Sequence, residues 1–143
     1  MTKNDNLPTE KRPIGFWIKA ADRALDEAGD AIHAANGFTR RSWQVLSLMA
    51  QIGPISQNDL ADELGPMMAS AAVLAEVVAL RDRGLVVETT EGLALTEDGV
   101  AMHRRLAAAQ AEMRQKAMAG IDPADYAAAI RCLWGIARNL SRG

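Results

Sequence analysis

Four helix-period segments, closed in turn at Gly37, Gly53, Gly65 and Gly84, are followed at Leu85 by a change of period, and that succession leaves few folds open. In the first segment Ile14, Ile18, Ala21, Leu25, Ala28 and Ile32 recur every three or four residues, the stripe of a helix that packs against another helix. Asn36-Gly37 tolerates the left-handed backbone that ends it. Thr39 is placed to cap a second helix carrying Trp43, Leu46, Met49 and Ala50, which Gly53-Pro54 stops. Ser56-Gln57-Asn58-Asp59 offers a third helix a hydroxyl cap and an acid near its positive end, with Leu60, Ala61 and Leu64 on its apolar side. A fourth helix is predicted over about residues 67–83, carrying Val73, Leu74, Val77, Val78 and Leu80, with Gly84 as its cap.

After Gly84, Leu85-Val86-Val87-Glu88, then Thr89-Thr90-Glu91-Gly92, then Leu93-Ala94-Leu95-Thr96 predict a short hairpin. Thr96 opens a fifth helix with Glu97 and Asp98 in its first turn, running to Gly120. Asp122 as cap, Pro123 in the first helical position and Asp125 two residues on open a last helix, with Ile130, Leu133, Ala137 and Leu140 on one face. Two helices joined by a glycine-containing turn and followed by a hairpin form a winged helix-turn-helix. The expected fold is therefore mainly α with a small β-hairpin wing and helical flanks. At 143 residues this is the length of one domain.

Cys132 is the sole cysteine, which excludes an internal disulfide framework and a cysteine-based zinc site. No run approaches the ~18 apolar residues of a membrane span. Residues 1–13 are polar, read as a mobile arm, and carry no apolar leader stretch. A reduced, soluble, cytoplasmic protein is expected. Two histidines without matching carboxylates make no metal site. Hydrolase and phosphate-cradling motifs are missing, so no enzyme activity and no cofactor are expected.

Several segments resemble the MarR family of regulators. Phe38-Thr39-Arg40-Arg41-Ser42-Trp43-Gln44-Val45-Leu46 is similar to the family's second-helix opening, and Asp59-Leu60-Ala61-Asp62-Glu63-Leu64-Gly65 to the first helix of its DNA-binding motif. Asp82-Arg83-Gly84-Leu85-Val86 resembles the junction into the wing, and Leu95-Thr96-Glu97-Asp98-Gly99 matches the L-T-x-x-G wing exit. The resemblance covers about residues 13–140. Ile14-Gly15-Phe16-Trp17 and Ala137-Arg138-Asn139-Leu140 are similar to a short-winged branch seen in actinobacteria. It implies a homodimer built through helices 14–36 and 121–143, a winged helix-turn-helix at 37–99 and a linking helix at 100–120. It also implies a recognition helix in the major groove of double-stranded DNA, a wing in the minor groove, and release by a small aromatic ligand or an oxidant.

On that basis DNA contacts are expected from Ser56, Gln57, Asn58, Ser70, Arg81, Thr89 and Thr90, with Arg40 and Arg41 helping. A pocket for an aromatic effector would use Trp17, Trp43, Met49, Met67 and Met68, although taken singly each reads first as core or dimer packing. His33 reads as a surface or capping residue, His103 as solvated, and Cys132 as buried dimer packing.

Charge argues the other way. The chain carries only −2 overall, but residues 54–99 hold nine acids against two bases, Arg81 and Arg83, a balance of −7. Lysine and arginine supply the phosphate contacts that dominate affinity for DNA. The stretch 67–76 contains no Arg, Lys, Asn or Gln, the side chains that read base edges. Compensation would come from Arg40 and Arg41, from Lys3, Lys11 and Arg12, from His103, Arg104, Arg105, Arg114 and Lys116, and from helix N-termini. A second function class therefore stays open: a winged helix without DNA, binding a small molecule or a protein.

Overall fold

The computed structural model describes residues 11–141. The expected order is observed: α1 (Ile14–Ala35), α2 (Arg40–Ile52), α3 (Gln57–Leu64), α4 (Ser70–Asp82), β1 (Val86–Thr89), β2 (Gly92–Leu95), α5 (Glu97–Ala117) and α6 (Pro123–Ser141). One compact unit reaches to Gln110 and a second begins at Ala111, within α5.

The caps read from the sequence are made. Thr39 Oγ1 accepts from the Ser42 N–H at 3.2 Å while Ser42 Oγ accepts from the Thr39 N–H at 2.8 Å, a reciprocal pair that starts α2. Ser56 Oγ accepts from the Asp59 N–H at 3.1 Å, and Asp122 Oδ1 from the Ala124 N–H at 2.8 Å. Thr96 Oγ1 accepts from Gly99 N–H at 3.0 Å and donates to the Gly84 carbonyl at 2.6 Å, so one hydroxyl caps α5 and ties it to the end of α4.

The core of the first unit is built where those helices meet. Val45, Leu46 and Met49 of α2, Leu60 and Leu64 of α3, and Val73, Val77 and Leu80 of α4 are buried together. Leu85, Val86 and Leu93 close it from the wing, and Leu106 from α5. The wing strands pair antiparallel, Val86 with Leu95 through Thr89 with Gly92. Ile55 adds a bridge unforeseen in the sequence: its N–H donates to the Leu93 carbonyl at 3.0 Å and its carbonyl accepts from Leu93 at 2.9 Å. This anchors the wing to the segment leading into α3. It also explains Gly92, whose φ is +121° and whose missing Cβ would lie 2.7 Å from the Ile55 backbone.

Three expectations are corrected. Helix α4 begins at Ser70, not near Met67, because Met67 and Met68 instead donate to the Leu64 carbonyl, at 2.9 and 2.8 Å, and Met68 turns into the core. Helix α5 stops at Ala117, and Gly120, at φ +76°, belongs to the turn before α6. His33 is not a surface residue: it is the one buried side chain of α1, at 6% exposure.

Apart from that end, α1 exposes its apolar residues, among them Ile14, Phe16, Trp17, Ile18 and Leu25. In the second unit α6 buries none of its residues, and Tyr126, Ile130, Leu133, Trp134 and Leu140 are exposed. Cys132 is exposed on α6 as well. No helix among the described residues is long and apolar enough to cross a membrane.

Candidate nucleic-acid interface

The start of α3 and the start of α4 border one groove of about 510 Å³, lined by Gln57, Asn58, Asp62, Ser70, Ala71 and Leu74 among others. Three of the expected DNA-contact residues, Gln57, Asn58 and Ser70, are thereby brought together. Ser70 is exposed, and α4 has no side-chain cap, since Ala69 occupies the cap position. The first N–H groups of α4 therefore have no side-chain acceptor, which is the condition for meeting an anion at a helix N-terminus.

Most of the other expected contacts are committed elsewhere. The Ser56 hydroxyl caps α3. Thr89 is exposed, but its Oγ1 donates to the Gly92 carbonyl at 2.7 Å and accepts from the Glu91 N–H at 3.2 Å, so the hydroxyl braces the wing turn. Thr90 is exposed at the wing tip. Arg81 pairs with Glu88 of the wing at 3.5 Å. Arg40 bridges back to α1, 3.0 Å from Asp26 and 3.6 Å from Asp30. Arg41 is exposed and makes no ion pair among the described residues.

Arg83 is the informative surprise. Its guanidinium donates to the carbonyls of Asn36 at 3.0 Å and Gly37 at 2.9 Å, and it sits 4.6 Å above the Phe38 ring. It thus caps the C-terminal end of α1 and clasps the turn into α2, a role that no local pattern around residue 83 announces. Of the two bases in the −7 stretch, one is exposed but bonded to two backbone carbonyls and the other is paired with an acid.

The exposed face of α4 is apolar. Leu74 and Val78 are 44% and 47% exposed, Met67 before the helix is 61% exposed, and Ala71 and Ala75 lie between them. Across α3, a second cleft of about 540 Å³ runs to the wing tip and is lined by Asp59, Asp62, Glu63 and Glu91 together with Ile52 and Ile55.

The five residues expected to form an effector pocket are not brought together. Trp17 lies on α1 at 40% exposure, edge-on to Phe16 with ring centres 5.0 Å apart. Met49 and Met68 are core residues, and Met67 is exposed with its sulfur 4.0 Å from Gln44 Nε2. Met49 borders a cleft of about 200 Å³, shared with Gly53, Pro54, Leu95 and Val100.

Trp43 has different neighbours from those expected. It lies between two imidazoles: His33, 5.9 Å away at 26°, and His103, 5.2 Å away at 5°. His103 is half-buried against the indole rather than solvated. Gln110 Nε2 lies 3.1 Å from His33 Nε2, within hydrogen-bond reach. Nδ1 is buried without a partner. Burial holds the His33 pKa below its ordinary value of 6.5, with Arg40 acting in the same direction and Asp30 against it. Among the described residues no group of three His, Cys, Asp or Glu side chains is placed to hold a metal ion.

No protein-family model matches the sequence, and no curated protein sequence matches it. Solved structures do match in fold. The MarR family protein Rv2887 of Mycobacterium tuberculosis is 19% identical with a TM-score of 0.69, over 90% of this chain and 97% of that one. Structures of Rv2887 with DNA and with salicylic acid match at TM-scores of 0.68 and 0.61, at 20% and 18% identity, over 88% and 90% of this chain and 98% and 99% of those. MepR, a transcription regulator of the Staphylococcus aureus multidrug efflux pump MepA, is 15% identical with a TM-score of 0.74, over 90% and 99% of the two chains. The chain has the MarR-type winged-helix fold.

Proposed function

We propose that this MarR-type winged helix is a homodimeric, DNA-binding transcriptional regulator that leaves DNA when a small aromatic ligand binds. The observation that carries the reading is the shared groove at the starts of α3 and α4, where Gln57, Asn58 and Ser70 stand beside the uncapped N–H groups of α4. Rv2887, of the same fold, is known in complexes with DNA and with salicylic acid. The dimer rests on two faces too apolar to stand in water, the exposed stripes of α1 and α6. A mass in solution that stays monomeric at every concentration refutes it.

The geometry sets the character of the binding. Arg41 is the one expected arginine contact without an ion pair among the described residues, and the amide end of α4 adds a second phosphate site. At about two phosphates per protomer, a dimer loses affinity with a log–log salt slope of about −4. The experiment is fluorescence anisotropy with DNA from upstream of the protein's own gene against a shuffled control, at low and near-physiological salt. Preference for the upstream DNA with that shallow slope supports the regulator. Binding to neither DNA at either salt overturns it in favour of a winged helix that binds a small molecule or a protein, a reading favoured by the carbonyl-bound Arg83 and the paired Arg81. Aromatic acids, salicylic acid first, should shift the melting temperature or tryptophan fluorescence.

A further inference from the structure

We propose that the exposed face of α4 docks a basic amphipathic helix of another protein. This goes beyond the DNA reading and does not depend on it. The face is a stripe rather than a scatter: within α4, Ala71, Leu74, Ala75 and Val78 follow one another at steps of three, one and three, all exposed, and Met67 in the turn before the helix is exposed as well. The opposite side of the same helix, Val73, Val77 and Leu80, is fully engaged in the core. Helix α4 is therefore apolar on both sides, whereas an ordinary surface helix turns polar residues to water.

The surroundings select the occupant by charge. Asp62 borders the groove shared with Leu74 and also the neighbouring cleft with Asp59, Glu63 and Glu91, so the apolar stripe passes directly into a carboxylate-lined hollow. Asp82 falls on the stripe's side at the far end of α4. Duplex DNA gains little here, because the stripe offers no base-reading donor and the carboxylates face phosphates of the same sign. A second copy of this chain fits no better, since a two-fold contact would set the same acidic rim against itself. A helix with apolar residues at i, i+3 or i+4 and i+7, flanked by lysine or arginine, satisfies both features at once. The α4 part of the stripe, residues 70–78, spans roughly 12 Å, so three to four turns of partner helix cover it.

The test uses a fluorescein-labelled 18-residue peptide with a leucine stripe at i, i+3, i+7 and i+10, lysine on its flanks and alanine elsewhere, titrated into the full chain. Two comparison peptides carry the same composition with the stripe scrambled, or glutamate in place of lysine. A Leu74→Asn/Val78→Asn variant changes only exposed side chains, and its circular dichroism and mass check fold and dimer. The lysine-flanked stripe is expected to bind at least tenfold more tightly than either comparison peptide, with a loss of at least tenfold in the double variant. Equal binding of the scrambled peptide, no binding at all, or a folded double variant that binds undiminished overturns the proposal. So does a double variant that keeps the peptide but loses DNA, or one that falls apart into monomers; these outcomes assign the face to the duplex or to a second copy.

Discussion

Gly99, the third residue of α5, offers the sharpest test of how the wing is held. A methyl there would land on the Leu85 carbonyl oxygen, 3.1 Å from the carbonyl carbon and 3.2 Å from Leu95 Cβ. The same carbonyl accepts from the Thr96 N–H at 3.0 Å, and Thr96 Oγ1 reaches the neighbouring Gly84 carbonyl at 2.6 Å. Relieving the overlap means lifting the start of α5 by roughly 1 Å, at an overpacking cost of about 1–3 kcal/mol. That movement strains or breaks two hydrogen bonds worth about 1 kcal/mol each. Alanine returns about 1 kcal/mol as the better helix former. Gly99→Ala should thus destabilise by about 2–3 kcal/mol, which for a chain of this length lowers the melting temperature by roughly 8 °C. The assay is thermal unfolding followed by circular dichroism, confirmed by the urea midpoint. Gly135→Ala is the control: its Cβ meets nothing within 4 Å, on the side of α6 away from Ile130, Leu133 and Ala137, so it should be neutral or slightly stabilising. A Gly99→Ala melting temperature within 2 °C of wild type would mean that α5 does not rest on Leu85 as described.

Two further outcomes follow from side chains held by partners far away in the sequence. His33 is held neutral in the folded chain, its pKa depressed below 6.5 chiefly by burial. A depressed pKa means that the unfolded chain binds the extra proton first, so the contribution is intact above about pH 6.5 and drains away as pH falls towards the lowered value. Urea midpoints at pH 7.5, 6 and 5 should therefore fall more steeply for wild type than for His33→Gln, and parallel curves would show that His33 is not held neutral. Arg83→Met should remove the two carbonyl contacts and the stacking on Phe38, costing about 1–2 kcal/mol in thermal unfolding while leaving the salt slope of DNA binding unchanged. An unchanged melting temperature with a shallower slope would return Arg83 to the DNA face.

What the sequence made legible was local. Thr39, Ser56, Thr96 and Asp122 each start the helix they were expected to start, because a cap joins residues two or three apart and its chemistry lies within one short motif. The hairpin is legible for the same reason, its two strands being separated only by Thr90 and Glu91. Contacts that join distant residues left no such trace. Arg83 meets the end of α1 across more than forty positions, and Gln110 meets His33 across seventy-seven. Thr89, as a hydroxyl on a wing, looked outward-facing, and only the conformation of Gly92 turned it into a turn brace. Met68 was read as a pocket residue and is core, because the α3–α4 turn bends it under Leu64 instead of continuing the helix.

The same distinction decides how the charge of the reading unit should be understood. A sequence count treats every arginine as available, whereas a guanidinium already directed at two carbonyls, or at a carboxylate 3–4 Å away, must leave that partner before it can meet a phosphate. Arg83, Arg40 and Arg81 are all in that position. The acids have no comparable demand on them: of the nine in residues 54–99, only Glu88 has an ion-pair partner among the described residues. The balance stays at −7, since Arg81 and Glu88 cancel and Arg83 keeps its charge among neutral carbonyls, but neither arginine is free for a phosphate, and the negative field falls beside an apolar helix face. Cationic side chains satisfy the one and a leucine stripe the other, which is why a basic amphipathic helix suits the stripe, while phosphates are left to Arg41 and the amide end of α4.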